Sequence, residues 1–452
     1  MAGKPSLVEE SDFTPFLKRL TFYASGGPFL DGYILVIIGI ALMQLDPQLK
    51  LGSFWEGLVG ASALVGLVVG GASLGYVTDL VGRKLMYRLD PIAIIVLSIA
   101  QMCVTSAWEL VLLRFLIGIA VGADYPISTS LVAEFSPKKH RGFMLGFLIS
   151  MWYLGAVAAA VAGYALLSAG PAGWRWMLGS AALPALVLVF GRWNMPESPR
   201  WLISKGRLEE TQGILHRVWG PEANIQDLHQ TTGEKTDFRK IFRRGYLKRT
   251  VFVCTFWTCQ VIPVFAIYTF GPRILEAFHL GRGNLWIFGY ALINGFFLLG
   301  CVPYLILINV LGRRPLIIGS FMFMTVSMLV LGLFPKAPTG VILCGFLIYA
   351  FFSGGSSVLD GIYPNELFPT EVRATAFGIA TAVTRVGAAI GTFSLPYCLQ
   401  TLGIGPTMLL SAAITLLGLI VCVLLAPETR GLSLRECSAL EGAIDAQVVA
   451  LK

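Results

Sequence analysis

The sequence predicts an all-α integral membrane protein of twelve transmembrane helices in two pseudo-symmetric six-helix halves. Three observations carry that prediction. The 452-residue chain is 56% hydrophobic and only 13% charged, with a mean hydropathy of +0.73. A water-soluble fold cannot hide so much apolar surface. Apolar windows of about twenty residues, the length that crosses a bilayer as a helix, recur along the chain. The polar loops between them repeat in order. Gly75-Tyr76-Val77-Thr78-Asp79-Leu80-Val81-Gly82-Arg83-Lys84 is echoed, weakened, about 230 residues later by Asn309-Val310-Leu311-Gly312-Arg313-Arg314. Glu134-Phe135-Ser136-Pro137 with Arg141-Gly142 returns as Glu366-Leu367-Phe368-Pro369 with Arg373-Ala374. Pro196-Glu197-Ser198-Pro199-Arg200 returns as Pro427-Glu428-Thr429-Arg430-Gly431. Two similar halves with the same loop punctuation suit a machine that rocks one half against the other.

In chain order, the first half (1–195) has spans near 20–44, 54–78, 86–105, 108–133, 143–168 and 173–193. The N-terminus has mixed charges and no short apolar run with a small-residue cleavage site, so the first span is predicted to stay as a membrane helix. A polar linker (196–248), read as a few amphipathic helices, precedes spans near 249–272, 284–309, 315–335, 339–364, 374–400 and 404–426. These form the second half (249–426), and 427–452 is a polar tail. One set of loops carries Arg83, Lys84 and Arg88, then Lys138, Lys139 and Arg141, then Arg313 and Arg314; the opposite set has little beyond Lys50, Arg273, Arg282 and Lys336. Basic loops stay in the cytoplasm, which predicts cytoplasmic termini, linker and tail. The formal charge of +8 is thus a topology signal, and no basic tract points to nucleic acid. The 50 glycines favour close helix contact in lipid. Seven of the eight cysteines lie in apolar stretches and Cys437 in the tail, with neither disulfide nor metal spacing. His140, His216, His229 and His279 lie in loops or polar segments without ligand spacing. No metal and no cofactor are predicted.

The ordered motifs resemble those of the major facilitator superfamily, and within it the sugar-porter-like group. They are the two glycine-basic loops, Arg114 opening Arg114-Phe115-Leu116-Ile117-Gly118, the Glu134 block, Pro196-Glu197-Ser198-Pro199-Arg200-Trp201-Leu202 and Pro427-Glu428-Thr429-Arg430-Gly431. The likeness spans nearly the whole chain and is nearest to bacterial inner-membrane metabolite transporters of this group. Leu80 stands where the loop usually has Arg, and Asn309 replaces the Asp of the second loop, so the second latch is expected to be electrostatically weaker. The resemblance implies a cytoplasmic gate of Asp79, Arg83, Glu134, Arg141, Arg313, Glu366, Arg373, Glu428 and Arg430. In such a gate a carboxylate meets the positive end of a helix and arginines pair with acidic groups at other helix ends. The cluster favours the outward-open state because it must break when the cytoplasmic side opens. The other reading of these residues is solvated loop charge.

An ionisable side chain at bilayer depth costs about 3 kcal/mol or more, so each one is a functional candidate. Asp31, Arg114, Asp124, Asp360 and Arg385 stand out in apolar surroundings. In sugar-porter relatives the Asp and Arg matching Asp31 and Arg114 pair, and that Asp takes the coupling proton. A permanent ion pair is the alternative. Asp124 is a second proton-coupling candidate, or else caps a bend at Pro126. Arg114 and Asp124 stand ten residues apart, about 15 Å along a helix, too far to be direct partners.

Counted from the shared motifs, the sugar site is largely gone. Gln260 survives, its usual Gln neighbour is Cys259, and a nearby Asn becomes Phe265. Ile149, Phe297 and Gly361 replace a Gln, an Asn and a Trp, with Asn294 close by. Arg385 falls where sugar porters place a cavity Gln or Trp. A guanidinium in a dry cavity demands an anion, which a carboxylate supplies bidentately. That anion is either the substrate or Asp360. Tyr33, Tyr125, Trp152, Trp257, Phe265 and Tyr268 offer flat apolar walls for a ligand, or ordinary helix packing.

These residues predict a secondary transporter, active as a monomer in the bacterial inner membrane, moving a small organic solute with protons. An organic anion (sugar acid, monocarboxylate or aromatic acid) leads, a neutral sugar or polyol follows, and organic-cation efflux is third. The proton gradient is the expected driving force. A membrane enzyme is disfavoured because no nucleophile–base or metal constellation appears, and a receptor has no use for a duplicated gate. ATP is disfavoured too, since Gly82-Arg83-Lys84 lacks the spacing and hydroxyl of a phosphate loop.

Overall fold

The computed structural model describes residues 12–225, 242, 244–279, 285–368, 370–431 and 437. It is all-α, with no strand among the described residues. The helices are α1 (Pro15–Leu49), α2 (Ser53–Val81), α3 (Arg83–Met102), α4 (Ala107–Phe135), α5 (Lys138–Leu167), α6 (Gly173–Gly179), α7 (Ala182–Arg192), α8 (Pro199–Ser204), α9 (Leu208–Trp219), α10 (Arg244–Ala277), α11 (Leu285–Val310), α12 (Arg313–Leu333), α13 (Thr339–Leu367), α14 (Thr370–Thr401) and α15 (Ile404–Leu425). Among the described residues, twelve helical segments are long and apolar enough to cross a membrane. The sixth, Gly173–Arg192, is built from α6 and α7, whose hydrogen bonding is interrupted around Ser180.

The chain divides into two compact units, residues 1–232 and 233–452. In the first, α1 packs on α5 and α4, and α2 packs on α4. In the second, α10 packs on α14 and α15, α11 on α13, and α12 on α15 and α13. The linker helices belong to the first unit. Val218 of α9 joins the buried core formed with Phe135 and Leu131 of α4, and the Trp219 ring stacks on Phe135 at 5.5 Å.

Close packing of α2 on α4 rests on glycine. A methyl group on Gly66 would stand 2.2 Å from the Phe115 carbonyl oxygen, and one on Gly70 would stand 2.1 Å from that of Ile119. From the other side, a methyl on Gly118 would stand 2.2 Å from the Ala63 carbonyl oxygen, and one on Gly122 2.5 Å from that of Leu67. Two small-residue stripes with four-residue spacing therefore bring the backbones together, the packing that replaces hydrophobic driving force in lipid. Large apolar side chains meanwhile point outward, among them Phe190 (74% exposed) and Leu424 (72%). An apolar outer surface of this extent is matched by a hydrocarbon solvent.

Candidate translocation machinery

Each unit carries the same latch. In the first, the guanidinium of Arg83 at the start of α3 pairs with Glu134 at the end of α4, and the Ser198 hydroxyl donates to the other oxygen of Glu134. Glu197 accepts the backbone N–H groups of Arg83 at 3.0 Å and Lys84 at 3.1 Å. In the second, Arg313 at the start of α12 pairs with Glu366 near the end of α13 at 2.8 Å, and the Thr429 hydroxyl donates to Glu366. Glu428 accepts the N–H groups of Arg313 and Arg314, each at 3.0 Å. Both carboxylates thus cap a helix N-terminus, where unsatisfied N–H groups and the helix dipole favour an anion. Gly82 (φ +104°) and Gly312 (φ +97°) precede the two helices. A side chain on either would reach 2.6 Å from the capping carboxylate, besides the cost of positive φ.

Burial would raise the carboxyl of Glu428, but backbone N–H groups of Arg313, Arg430, Arg314 and Thr429 hold it below the ordinary glutamate range. The ion pairs seen here join helices of one unit, so they brace each half from within. The two remaining described gate positions make local contacts: Arg373 Nε donates to the Phe368 carbonyl at 3.2 Å, and the Arg430 N–H donates to Glu428 at 2.8 Å. The side chains of Asp79, Arg141 and Tyr125 lie outside the described ones. Glu197, which the gate set read from sequence does not include, caps α3 from 113 residues away in the chain, a distance that leaves no local signal.

At mid-membrane in the first unit, Asp31 is buried on α1 and accepts a hydrogen bond from the Trp152 indole of α5 at 2.8 Å. The expected Asp31–Arg114 pair is not formed. Fully buried Arg114 donates instead to the Ile34 carbonyl at 3.0 Å, leaving its Nε and Nη2 without hydrogen-bond partners. Ile34 lies one turn beyond Asp31, so both groups address the same stretch of α1. The Tyr33 hydroxyl shares a hydrogen bond with Ser180 at 2.7 Å, at the break between α6 and α7.

Asp124 neither caps a bend nor meets Arg114; α4 runs on as helix through Pro126. Its carboxylate is held by Arg192 of α7 in a two-pronged pair, Nη1 to Oδ1 at 2.6 Å and Nη2 to Oδ2 at 3.1 Å. Asp90 of α3 lies 3.7 Å from the same Nη1, and the Tyr87 ring stacks under the guanidinium at 3.9 Å. Asp90 and Arg192 are absent from the sequence-derived set because both sit within a few residues of the ends of their predicted spans, where charge is ordinary.

In the second unit, α10 contributes Gln260, whose amide donates to the Ser353 carbonyl at 3.0 Å and to the Ser356 hydroxyl at 2.9 Å. Its buried Oε1 has no hydrogen-bond partner. Asn294 of α11 donates to the Tyr290 carbonyl at 2.8 Å, and its Oδ1 is likewise unmet. Phe265 and Tyr268 meet edge to face at 6.0 Å, and Tyr268 packs on Phe297 at 4.8 Å. Trp257 packs on Phe377 at 5.6 Å. Arg385, half-buried at the middle of α14, lays its guanidinium over Phe265 at 5.0 Å. Among the described residues it makes no salt bridge within 4 Å. Asp360 of α13 is buried, with one oxygen lacking a hydrogen-bond partner; the Arg385 charge acts on it from beyond that distance. The direct Arg385–Asp360 pair that sequence reading left open is therefore not formed here. Phe265, Tyr268 and Arg385 thus come together, whereas Gln260 turns to α13 and Trp257 to Phe377 of α14.

Two duplicated, internally latched six-span units with ionisable groups at mid-membrane define a secondary transporter of the alternating-access kind. The chain belongs to the sugar (and other) transporter family of the major facilitator superfamily, whose pattern it matches over residues 20–440. It is 47% identical over 430 residues to YaaU of Escherichia coli K12, covering 95% of this chain and 96% of YaaU. The inner membrane metabolite transport protein YgcS of the same organism is 37% identical over 98% of both chains. Among solved structures, the inward-open xylose transporter XylE from E. coli superposes with a TM-score of 0.80 over 93% of this chain and 99% of its own, at 22% identity. That last likeness is one of fold. The chain is a multi-pass membrane transporter and not an enzyme.

Proposed function

We propose that this transporter couples protons to the uptake of a small organic anion across a bacterial inner membrane, with termini and latches on the cytoplasmic side. The observation that carries the anion is Arg385. Ten residues into the span Thr375–Thr401, it rests on an aromatic face and has no salt bridge among the described residues. A permanently charged group at that depth is costly unless an anion meets it. A carboxylate on a small acid fits the planar fork, and Phe265 and Tyr268 offer it an apolar flank. Asp31 is the proton carrier in this reading. Protonated, it rests on Trp152 and leaves Arg114 to the Ile34 carbonyl; ionised, it draws the unmet guanidinium nitrogens of Arg114 to itself. A carboxyl whose partner differs between conformations binds its proton differently in each, and that difference is the coupling.

A neutral sugar is the second reading. The unmet amide oxygens of Gln260 and Asn294 favour it, since they can accept hydroxyl hydrogens, and XylE transports a sugar. Thermal-shift titration of the purified protein with D-gluconate, D-glucuronate, benzoate, D-xylose and D-glucose separates the two, because a bound ligand stabilises by mass action. The anion reading expects a shift with at least one acid that Arg385→Ala removes. A shift with a sugar that survives Arg385→Ala overturns it.

A further inference from the structure

The Asp90–Arg192–Asp124 cluster sets two carboxyl groups against one guanidinium inside the first unit. The side chains are sealed: Arg192 is 0% exposed, Asp90 and Asp124 2% each. Asp124 is fully engaged, by Arg192 on both oxygens and by the Ser128 hydroxyl at 3.2 Å. Asp90 is not. Neither of its oxygens accepts a hydrogen bond, and it stands 3.7 Å from Arg192 Nη1. The charged and titratable groups facing it are Asp124 from α4, Arg192 from α7 and Tyr87 from α3. From α1 come backbone groups, with the Tyr23 ring packed on the same core as Tyr87. The Tyr23 carbonyl accepts from Arg192 Nε at 3.2 Å, and Gly27 lies so close that a methyl there would fall 1.2 Å from Asp124 Oδ2. No further cation among these groups balances the second carboxylate.

A sealed site holding one cation and two ionised carboxylates carries a net negative charge with no solvent to offset it. Like charges sharing a site force one to take a proton. Asp124 has the bidentate partner, so the proton belongs on the other carboxyl. We propose that Asp90 is a proton-binding site, held protonated at neutral pH by the Asp124–Arg192 pair and distinct from Asp31. Proton binding there stands apart from the assignment of the solute, and it adds a second proton site to a transporter read as proton-coupled.

Infrared spectroscopy of the full-length protein in lipid, titrated from acid to alkaline pH without any solute, tests this. Wild type should show the carbonyl absorption of a protonated buried carboxyl at pH 7, and Asp90→Asn should lose one carboxyl's worth of it. Asp124→Asn should lose the same amount, because Asp90 then ionises as the only carboxylate facing Arg192. Arg192→Gln should gain intensity, since neither carboxyl has a cation. Should Asp90→Asn not fold, Asp124→Asn carries the test. An absorption unchanged in Asp90→Asn, or in Asp124→Asn where that variant stands in, overturns the proposal. Gradient-driven uptake would be unaffected by that failure if Asp31 alone carries the proton, so the two readings fail separately.

Discussion

Asp31 and Arg385 owe their prominence to the same physics, a charge placed where lipid and protein offer no water. Asp31→Asn keeps the shape of the side chain and its acceptor for Trp152 but cannot exchange a proton. Uptake against a gradient driven by imposed pH should cease, while counterflow exchange persists. Full gradient-driven accumulation in that variant would return Asp31 to a structural role. Arg385→Lys keeps the charge and loses the planar fork, so affinity for the acid should fall by about 1.5–3 kcal/mol, the scale of hydrogen bonds to charged groups. Titration calorimetry on that variant measures it, and membrane yield should stay near normal because Arg385 makes no ion pair within the described protein. At this scale Asp31, Arg114, Asp124, Asp360 and Arg385 were legible in the sequence as charges set in apolar runs. Their partners were less legible. Trp152, Ile34 and Arg192 are brought to them by helices far away in the chain, and a carbonyl acceptor has no sequence signature at all.

Single helices owe their boundaries to the repeated loops. Glu197 and Glu428 cap α3 and α12 through side chains arriving from the segments after α7 and α15. Replacing either with Ala should cost about 0.5–2 kcal/mol, the usual scale of a lost N-cap, read as a lower midpoint of thermal unfolding in detergent. The Glu428 contribution has a defined pH dependence. Its carboxyl is depressed in the folded chain, so its stabilisation is present above the ordinary glutamate value of about 4.3 and lost as pH falls through the lower, folded one. The stability gap between wild type and Glu428→Gln should therefore close on acidification below about pH 4; a gap that widens there contradicts the cap. Gly66→Ala tests the α2–α4 contact. With the carbonyl of Phe115 at 2.2 Å from the new methyl, the helices must part, at a cost of about 1–3 kcal/mol. The repeat of these loops was readable because both halves must end helices at the same places. The break at Ser180 was not, since its flanks are as apolar as a continuous span.

For the whole molecule, twelve spans and a two-fold repeat followed from hydropathy and motif order alone, because a bilayer leaves a chain few other ways to satisfy its backbone. What the solute is depends on side chains from several helices converging, and composition does not report convergence. The central claim, proton-coupled uptake of a small organic anion, has an electrical signature at a ratio of one proton per solute. One proton moving with a monovalent acid carries no net charge, whereas one proton with a neutral sugar carries one. The direct measurement places purified protein in liposomes with a pH-sensitive dye inside, mounted to record capacitive current, and presents D-gluconate, D-glucuronate, benzoate, D-xylose and D-glucose in turn. The account predicts that at least one acid acidifies the lumen with no accompanying current, and that Asp31→Asn abolishes the acidification. Acidification accompanied by inward current with D-xylose or D-glucose, and no response to any of the acids, would contradict it.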